Sequence, residues 1–184
     1  MTNSNTDVCS VTETYSKSSS LTVRERQQLV SQVLSACGNG KLLHIGLPDT
    51  ELLRSFLLAG VQAYNTYPNS ELNTLNASFP GRFIEWNDQA LPLSDESFST
   101  ILITNGKDAG LSLQFLATES VRISQDSIFL FLDTQAEPDT KQARKDWEIV
   151  FFNNGARKHP AYYRVNDYQS LQHEQGKIAI PLEK

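Results

Sequence analysis

The sequence contains few cysteines and no segment typical of a membrane span or an export signal. Its two cysteines, Cys9 and Cys37, make neither a disulfide framework nor a C-x-x-C metal motif. The N-terminus has no basic stretch followed by an apolar core, and no apolar run approaches the length of a spanning helix. We therefore expect two free thiols, no bound metal, no membrane association and a cytoplasmic location.

Positive charge is also scarce. The chain has 16 Lys and Arg against 21 Asp and Glu, which gives a formal net charge of −5. Binding to phosphate backbones depends on clustered Lys and Arg, so nucleic acid is not an expected partner. A length of 184 residues with 39% hydrophobic residues is enough for one domain with a real core.

The first 20 residues differ in composition from the rest. Residues 1–20 are rich in Ser, Thr and Asn and poor in large apolar side chains. Such a segment cannot bury enough apolar surface to offset the entropy of ordering, so we predict a disordered or loosely ordered tail. Residues 21–184 are predicted to form the folded domain.

Helical and extended patterns alternate from Leu21 onwards. Thr22 and Glu25 form a T-x-x-E capping box for a first helix, whose apolar face is assigned to Val23, Leu29, Val33 and Leu34. The segments that follow are, in order, strand LLHIG, helix DTELLRSFLLAG, strand VQAYNT, helix NSELNTLNASF, strands RFIEW and FSTILIT, helix LSLQFLATESVRI, strand SIFLFLDT, helix KQARKDWEIVFFNNG, and strands HPAYYRV and KIAIPLE.

This order predicts an α/β fold. Strands that alternate with helices, and are apolar on both faces, are typical of a mostly parallel sheet covered by helices on both sides. Seven strands are predicted. The last two have no helical pattern between them and are expected to form a C-terminal antiparallel hairpin, with KIAIPLE near an edge because it contains Pro181.

Three strings within this layout resemble class I S-adenosylmethionine-dependent methyltransferases, which have a Rossmann-like fold. KLLHIG resembles the first strand and turn, which these families usually write as V-L-D-I-G-x-G-x-G. ALPLSDESFSTILIT resembles A-L-P-F-x-D-x-S-F-D-x-V before the fourth strand. DWEIVFFNNGARKHPAYY resembles the late helix and turn before the sixth strand. The resemblance covers about residues 21–184.

The resemblance also implies a cofactor pocket at the carboxyl ends of the first strands. Its positions correspond here to His44, Gly46, Tyr67, Asn87 and Asn105. The family has an acidic residue where His44 stands, and a ribose-binding carboxylate near Tyr67. Further glycines of the turn are replaced by Pro48 and Asp49, and proline cannot copy a flexible glycine.

These replacements remove most of the polar recognition that the cofactor needs. Tyrosine cannot chelate a diol as a carboxylate does, and losing a hydrogen bond to a charged acceptor costs about 1.5–3 kcal/mol. We therefore expect S-adenosylmethionine binding to be weak or absent. The resulting hypothesis is a non-catalytic pseudo-methyltransferase that binds a protein partner, either an active methyltransferase relative or a second copy of the chain.

Two alternatives remain open. The chain is an active methyltransferase with a divergent pocket, acting on a small metabolite or a surface-polysaccharide sugar, or its pocket has been remodelled for another ligand. The catalytic residues are unassigned under all three hypotheses.

Several other residues could serve either in catalysis and binding or in the structure alone. We interpret His44 as a satisfied core histidine and Asp49 as a helix N-cap. The aromatic residues Tyr64, Tyr67 and Trp86 either line a pocket or fill it. We interpret Asp95 and Glu96 as solvated loop carboxylates, and Lys107 and Asp108 as members of a substrate loop. The cluster Arg157, Lys158, His159, Tyr162, Tyr163 and Arg164 either binds an anion or a partner, or is a solvated strand end.

Overall fold

The fold consists of one seven-stranded sheet with helices on both faces. The computed structural model describes residues 21–68, 72–86, 90–104, 110–133, 139–167 and 177–184, so the predicted tail lies outside the described residues. The helices are α1 (Val23–Cys37), α2 (Thr50–Leu58), α3 (Leu72–Ser78), α4 (Leu113–Ile123), α5 (Thr140–Asn153) and α6 (Tyr162–Asp167). The strands are β1 (Leu42–Ile45), β2 (Ala63–Pro68), β3 (Phe83–Trp86), β4 (Phe98–Thr104), β5 (Ser124–Asp133), β6 (Arg157–Lys158) and β7 (Lys177–Glu183).

The strand order confirms the predicted fold class. The order across the sheet is β3-β2-β1-β4-β5-β7-β6. Strands β1 to β5 are parallel, whereas β7 runs antiparallel to both β5 and β6. The chain reverses direction across the sheet at β1 and β4, and this is where parallel α/β sheets open a crevice at the carboxyl ends of their strands.

Alternation along the strands divides the interior into two cores. Leu43, Ile45, Ile101 and Ile103 point to the face that is covered by α4 and α5. Their neighbours Leu42, Ala63, Leu102 and Phe129 point to the opposite face, where α1 and α2 pack. Because side chains of a strand alternate between faces, the burial of consecutive residues in β1 and β4 requires helices on both sides.

Side-chain caps fix where the helices begin. Thr22 and Glu25 form the predicted capping box at α1, and the Asp49 carboxylate accepts from the Leu52 amide at α2, at 2.8 Å. Ser112 and Asp139 cap α4 and α5 in the same way. Each cap satisfies a backbone N–H that has no partner inside its helix.

The apolar face predicted for α1 is wrong at one position. Leu29, Val30 and Val33 are buried, but Val23 is 62% exposed. Val23 is the first helical residue, and the chain enters the core two residues earlier through Leu21, which is buried. The apolar period therefore begins after the first turn of the helix.

The predicted strand HPAYYRV is also wrong. Only Arg157 and Lys158 form β6, and the chain then turns into α6, whose residue Tyr162 is buried. The antiparallel pairing of the last two strands is confirmed, but a helix lies between them. Pairs of aromatic residues suit strands by propensity, whereas here tertiary packing of Ala161 and Tyr162 decides the local structure.

Strand β7 does not lie at the edge of the sheet, because β5 and β6 flank it. Pro181 is tolerated there because of its orientation. In an antiparallel strand the nitrogen and carbonyl of one residue point to the same side. The Pro181 carbonyl accepts from the His159 amide, so its nitrogen points away from β5, towards the end of the short β6.

Candidate functional site

Four polar side chains are buried where β1, β2 and β4 end. His44, Asn65, Thr66 and Thr104, here termed the polar cluster, are at most 7% exposed. His44, Asn65 and Thr104 each lie two positions after a side chain that packs under α1 and α2, so all three share that face. The three apolar residues are Leu42, Ala63 and Leu102. The carboxyl ends of these parallel strands therefore enclose polar groups in an otherwise apolar layer.

His44 shares a hydrogen bond with a neighbouring strand. Its Nε2 atom and the Thr104 Oγ1 atom lie 2.5 Å apart. Burial lowers the pKa of His44 to about 4, while the negative charge of Asp49 and the adjacent Asn65 act in the opposite direction. The imidazole is therefore neutral at physiological pH and connects β1 to β4. This agrees with its interpretation as a satisfied core histidine.

Gly46 is required by the protein backbone itself. Its φ of 152° lies where side chains are rare, and an added Cβ would lie 2.3 Å from the Thr104 carbonyl oxygen. The Gly46 amide donates to Thr66 Oγ1 at 3.3 Å. The close approach to β4 explains this glycine without a ligand.

Asn65 is a member of the polar cluster that the sequence analysis did not select. Its side chain is fully buried, and neither amide atom meets hydrogen-bond geometry with a described residue, although the side chain lies close enough to His44 to raise the pKa of that imidazole. Leaving such groups unpaired costs about 1–3 kcal/mol each, so they are unusual inside a folded protein. The signal in the sequence was an Asn followed by a Thr at the end of an otherwise apolar strand pattern.

The other predicted pocket residues are only partly placed. Tyr67 lies in β2, but its side chain is outside the described part of the structure. Asn87 and Asn105 lie outside the described residues, as do Lys107 and Asp108. Those positions remain predictions.

The three aromatic residues proposed as a pocket wall do not all lie at this end of the sheet. Trp86 ends β3 and is buried, with no hydrogen-bond partner for its indole nitrogen among the described residues. Tyr64 packs instead edge-to-face on Phe98, with their ring centres 5.6 Å apart, near the amino ends of the strands. A shared aromatic wall made by Tyr64 and Trp86 is therefore wrong.

The described residues of the polar cluster do not fit the ribose of S-adenosylmethionine. None of the four is a carboxylate, and the nearby Asp49 carboxylate already caps α2. His44 makes its contact with Thr104, within the protein. Of these four residues, only Asn65 has buried polar atoms without a hydrogen-bond partner in the described part of the chain.

The loop carboxylates are exposed, as predicted, but both have cationic partners. Asp95 accepts from Arg122 at 2.9 Å, and Glu96 from the Lys184 ammonium at 2.8 Å. Arg122 also forms a bidentate pair with the buried Glu119 of α4. We assign these groups to holding the loop before β4 rather than to chemistry.

The basic and aromatic cluster near β6 has its own internal contacts. The Lys158 ammonium lies 4.6 Å from the centre of the Tyr162 ring and 5.4 Å from that of Tyr163. The Tyr162 hydroxyl donates to Glu148, and burial followed by this contact raises the pKa of Tyr162 to about 12. Tyr163 remains 65% exposed. These contacts leave both interpretations of the cluster open.

The described residues lack both a metal-binding cluster and a membrane-spanning helix. They contain no group of three or more His, Cys, Asp or Glu side chains able to hold a metal ion. Among the same residues, no helix combines the length and apolarity that crossing a membrane requires.

Comparison with solved structures places the fold. The PH0226 protein from Pyrococcus horikoshii matches with a TM-score of 0.60 at 10% identity, over 89% of this chain and 92% of that one. An S-adenosylmethionine-dependent methyltransferase from Mesorhizobium loti matches with a TM-score of 0.55 at 12% identity, and the match covers 85% of this chain and 96% of that one. A third match is a chain from the Haloferax volcanii complex between the Trm112 methyltransferase activator and a candidate methyltransferase. Its TM-score is 0.53 at 9% identity, and the match covers 88% of this chain and 93% of that one.

Comparisons by sequence, unlike those by structure, gave no match. No protein-family model and no curated protein matches the chain. The chain therefore has the fold of class I S-adenosylmethionine-dependent methyltransferases, at sequence identities that establish the fold alone.

Proposed function

We propose that this chain is a methyltransferase-fold protein that does not catalyse methyl transfer and binds S-adenosylmethionine weakly or not at all. The observation that carries the proposal is the state of His44. The side chain at the position of the family's first acidic residue is buried, neutral and hydrogen-bonded to Thr104. This contact ties β1 to β4 where the cofactor of related folds is expected.

The glycine and the acid of the first turn support the same conclusion. Gly46 is needed for the approach of the Thr104 carbonyl, and Asp49 is needed for the cap of α2. Both residues therefore have roles within the fold that do not depend on a ligand.

A fold retained without its reaction needs another role, and we assign it to binding a protein. A methyltransferase-fold chain is found with the Trm112 activator in the Haloferax volcanii complex, which supports partner binding by this architecture. The partner in question is an active methyltransferase relative or a second copy of this chain.

Calorimetric titration of the purified chain with S-adenosylmethionine and S-adenosylhomocysteine tests the proposal. We expect a dissociation constant weaker than about 100 μM, since losing two or three charge-assisted hydrogen bonds weakens binding by roughly a thousandfold. The matched variant Tyr67→Asp adds a carboxylate at the end of β2 and is expected to bind more tightly. Tighter binding than about 100 μM by the unaltered chain would overturn the proposal.

The second candidate is an active methyltransferase on a small metabolite or a surface-polysaccharide sugar. The unpaired Asn65 amide favours it, because a buried amide without partners suits a bound ligand. Under this alternative, the purified chain carries S-adenosylmethionine that mass spectrometry detects, and Asn65→Ala or Tyr67→Ala removes it. Absence of bound cofactor in the unaltered chain counts against this candidate.

A further inference from the structure

Two cations and a tyrosine meet at the opposite end of the sheet, where the strands begin. Lys41 directly precedes β1 and Arg82 directly precedes β3, while Tyr64 lies in β2 between them. Leu43 pairs with Tyr64, and Asn65 pairs with Phe83 one residue after Arg82. Alternation therefore places the Lys41, Tyr64 and Arg82 side chains on one face of the sheet, the face of α4 and α5.

Aromatic rings hold both cations in place. The Lys41 ammonium lies 5.3 Å from the centre of the Tyr64 ring and 4.3 Å from that of the buried Phe98. The Arg82 guanidinium carbon lies 4.9 Å from the centre of the Tyr64 ring. Such contacts stabilise a cation by attraction to the ring face, but they leave most of its N–H donors free.

Within the described residues, these cations have no anionic partner. Arg122 is paired with Glu119, and Arg144 with Glu148. Lys41 and Arg82 make no such pair although both are half-buried. One terminal nitrogen of Arg82 is enclosed and has no acceptor among the described residues. Two positive charges that flank one ring repel each other, so an anion close to both of them is favoured.

We propose that Lys41, Tyr64 and Arg82 form a binding site for a phosphate group carried by a small molecule. A guanidinium presents N–H groups in a fork that matches two oxygens of a phosphate, and an ammonium adds a compact charge. The tyrosine hydroxyl supplies a further donor. A phosphate dianion offers more acceptor oxygens and more negative charge than a single carboxylate, which suits two cations and a hydroxyl.

This site is separate from the polar cluster. Lys41 lies three residues before His44 in an extended chain, which corresponds to roughly 10 Å along the strand. The Lys41 side chain also points to the opposite face of the sheet from that of His44. Occupation of the site is therefore independent of whether S-adenosylmethionine binds at the carboxyl ends.

An NMR titration of the full-length, nitrogen-15-labelled chain with inorganic phosphate at constant ionic strength tests the site. We expect saturable shifts of the backbone amides of Leu42, Tyr64 and Phe83, and no shift at Thr104. The variants Lys41→Gln and Arg82→Gln are each expected to weaken phosphate binding at least about tenfold, because each removes a charge-assisted contact. Tyr64→Phe, which removes only the hydroxyl, is expected to weaken it less.

Arg54 provides the matched control. It also lies over an aromatic ring, Phe79, but is paired with Glu51, so Arg54→Gln should bind phosphate like the unaltered chain. Shifts that do not saturate, or equal weakening by Arg54→Gln and Arg82→Gln, would overturn the site in favour of general charge screening. If Arg82→Gln does not fold, the Lys41→Gln titration decides by the same criterion.

Discussion

At the scale of single residues, the contact between His44 and Thr104 is the most informative. Replacing Thr104 with valine keeps the shape of the side chain and removes the hydroxyl, so the buried imidazole loses its partner. We expect Thr104→Val to lower the free energy of unfolding by about 1–3 kcal/mol. Urea denaturation of both proteins at pH 7 measures the difference.

Thr100, on the same strand, is the matched control. Its hydroxyl is buried and has no hydrogen-bond partner among the described residues, so Thr100→Val removes an unpaired polar group. This variant should be neutral or slightly stabilising. Equal destabilisation by both valines would contradict the role given to the His44 contact and would point to methyl packing instead.

The sequence reveals some of these residue roles and conceals others. The cap at Asp49 was predictable because it depends on a short segment, and its geometry follows from the helix that starts there. The neutral state of His44 followed from its apolar neighbours. Its partner did not, because Thr104 lies 60 positions away and reaches it only through the pairing of β1 with β4.

At the scale of elements, α4 holds the loop that leads into β4. Arg122 donates to the Leu91 and Leu93 carbonyls and pairs with Glu119, which itself accepts from the Leu91 amide. Arg122→Leu would leave Glu119 buried without its cation. We expect a loss of about 3 kcal/mol in the free energy of unfolding, together with faster amide hydrogen exchange at Leu91 and Leu93.

The exposed pair of Arg54 and Glu51 on α2 is the control for this prediction. Both side chains are more than half exposed and lie 3.7 Å apart. Arg54→Leu should change stability by less than about 1 kcal/mol and should leave exchange in the loop unchanged. If Arg122→Leu were equally mild, the loop would have to be held by its apolar side chains alone.

Element types were predicted well where the pattern is local. The segment FSTILIT, which is rich in apolar and β-branched residues, became β4 with the predicted bounds, and the capping box fixed the start of α1. The failure at HPAYYRV has a physical cause. Tyr162 is buried by contacts with α5 and by its hydrogen bond to Glu148, and no local pattern carries that information.

At the scale of the whole molecule, the two ends of the sheet carry different chemistry. The carboxyl ends enclose neutral polar groups, whereas the amino ends hold cations on aromatic rings. The fold could be predicted because strand order and burial follow from hydrophobic pattern. Site chemistry could not be predicted to the same extent, because it depends on which polar atoms remain unpaired after folding, as at Asn65.

Burial of His44 also makes the stability of the whole chain depend on pH. Its pKa is about 4 in the folded protein, against an ordinary value of 6.5 after unfolding. Between these values the unfolded chain binds a proton that the folded chain excludes, so stability decreases as the pH falls from 6.5 towards 4. The slope from this one group is at most about 1.4 kcal/mol per pH unit, and it fades as the pH rises through and above 6.5.

The variant His44→Gln isolates this effect, because glutamine does not titrate and retains a polar group near Thr104. Denaturation of both proteins from pH 7 to pH 5 should show a smaller decrease in stability for the variant. His159, whose pKa burial also lowers, requires the separate variant His159→Gln, which should retain the His44 slope. Parallel curves for His44→Gln and the unaltered chain would mean that His44 has the same pKa in the folded and unfolded chain, and the lowering of its pKa by burial would have to be abandoned.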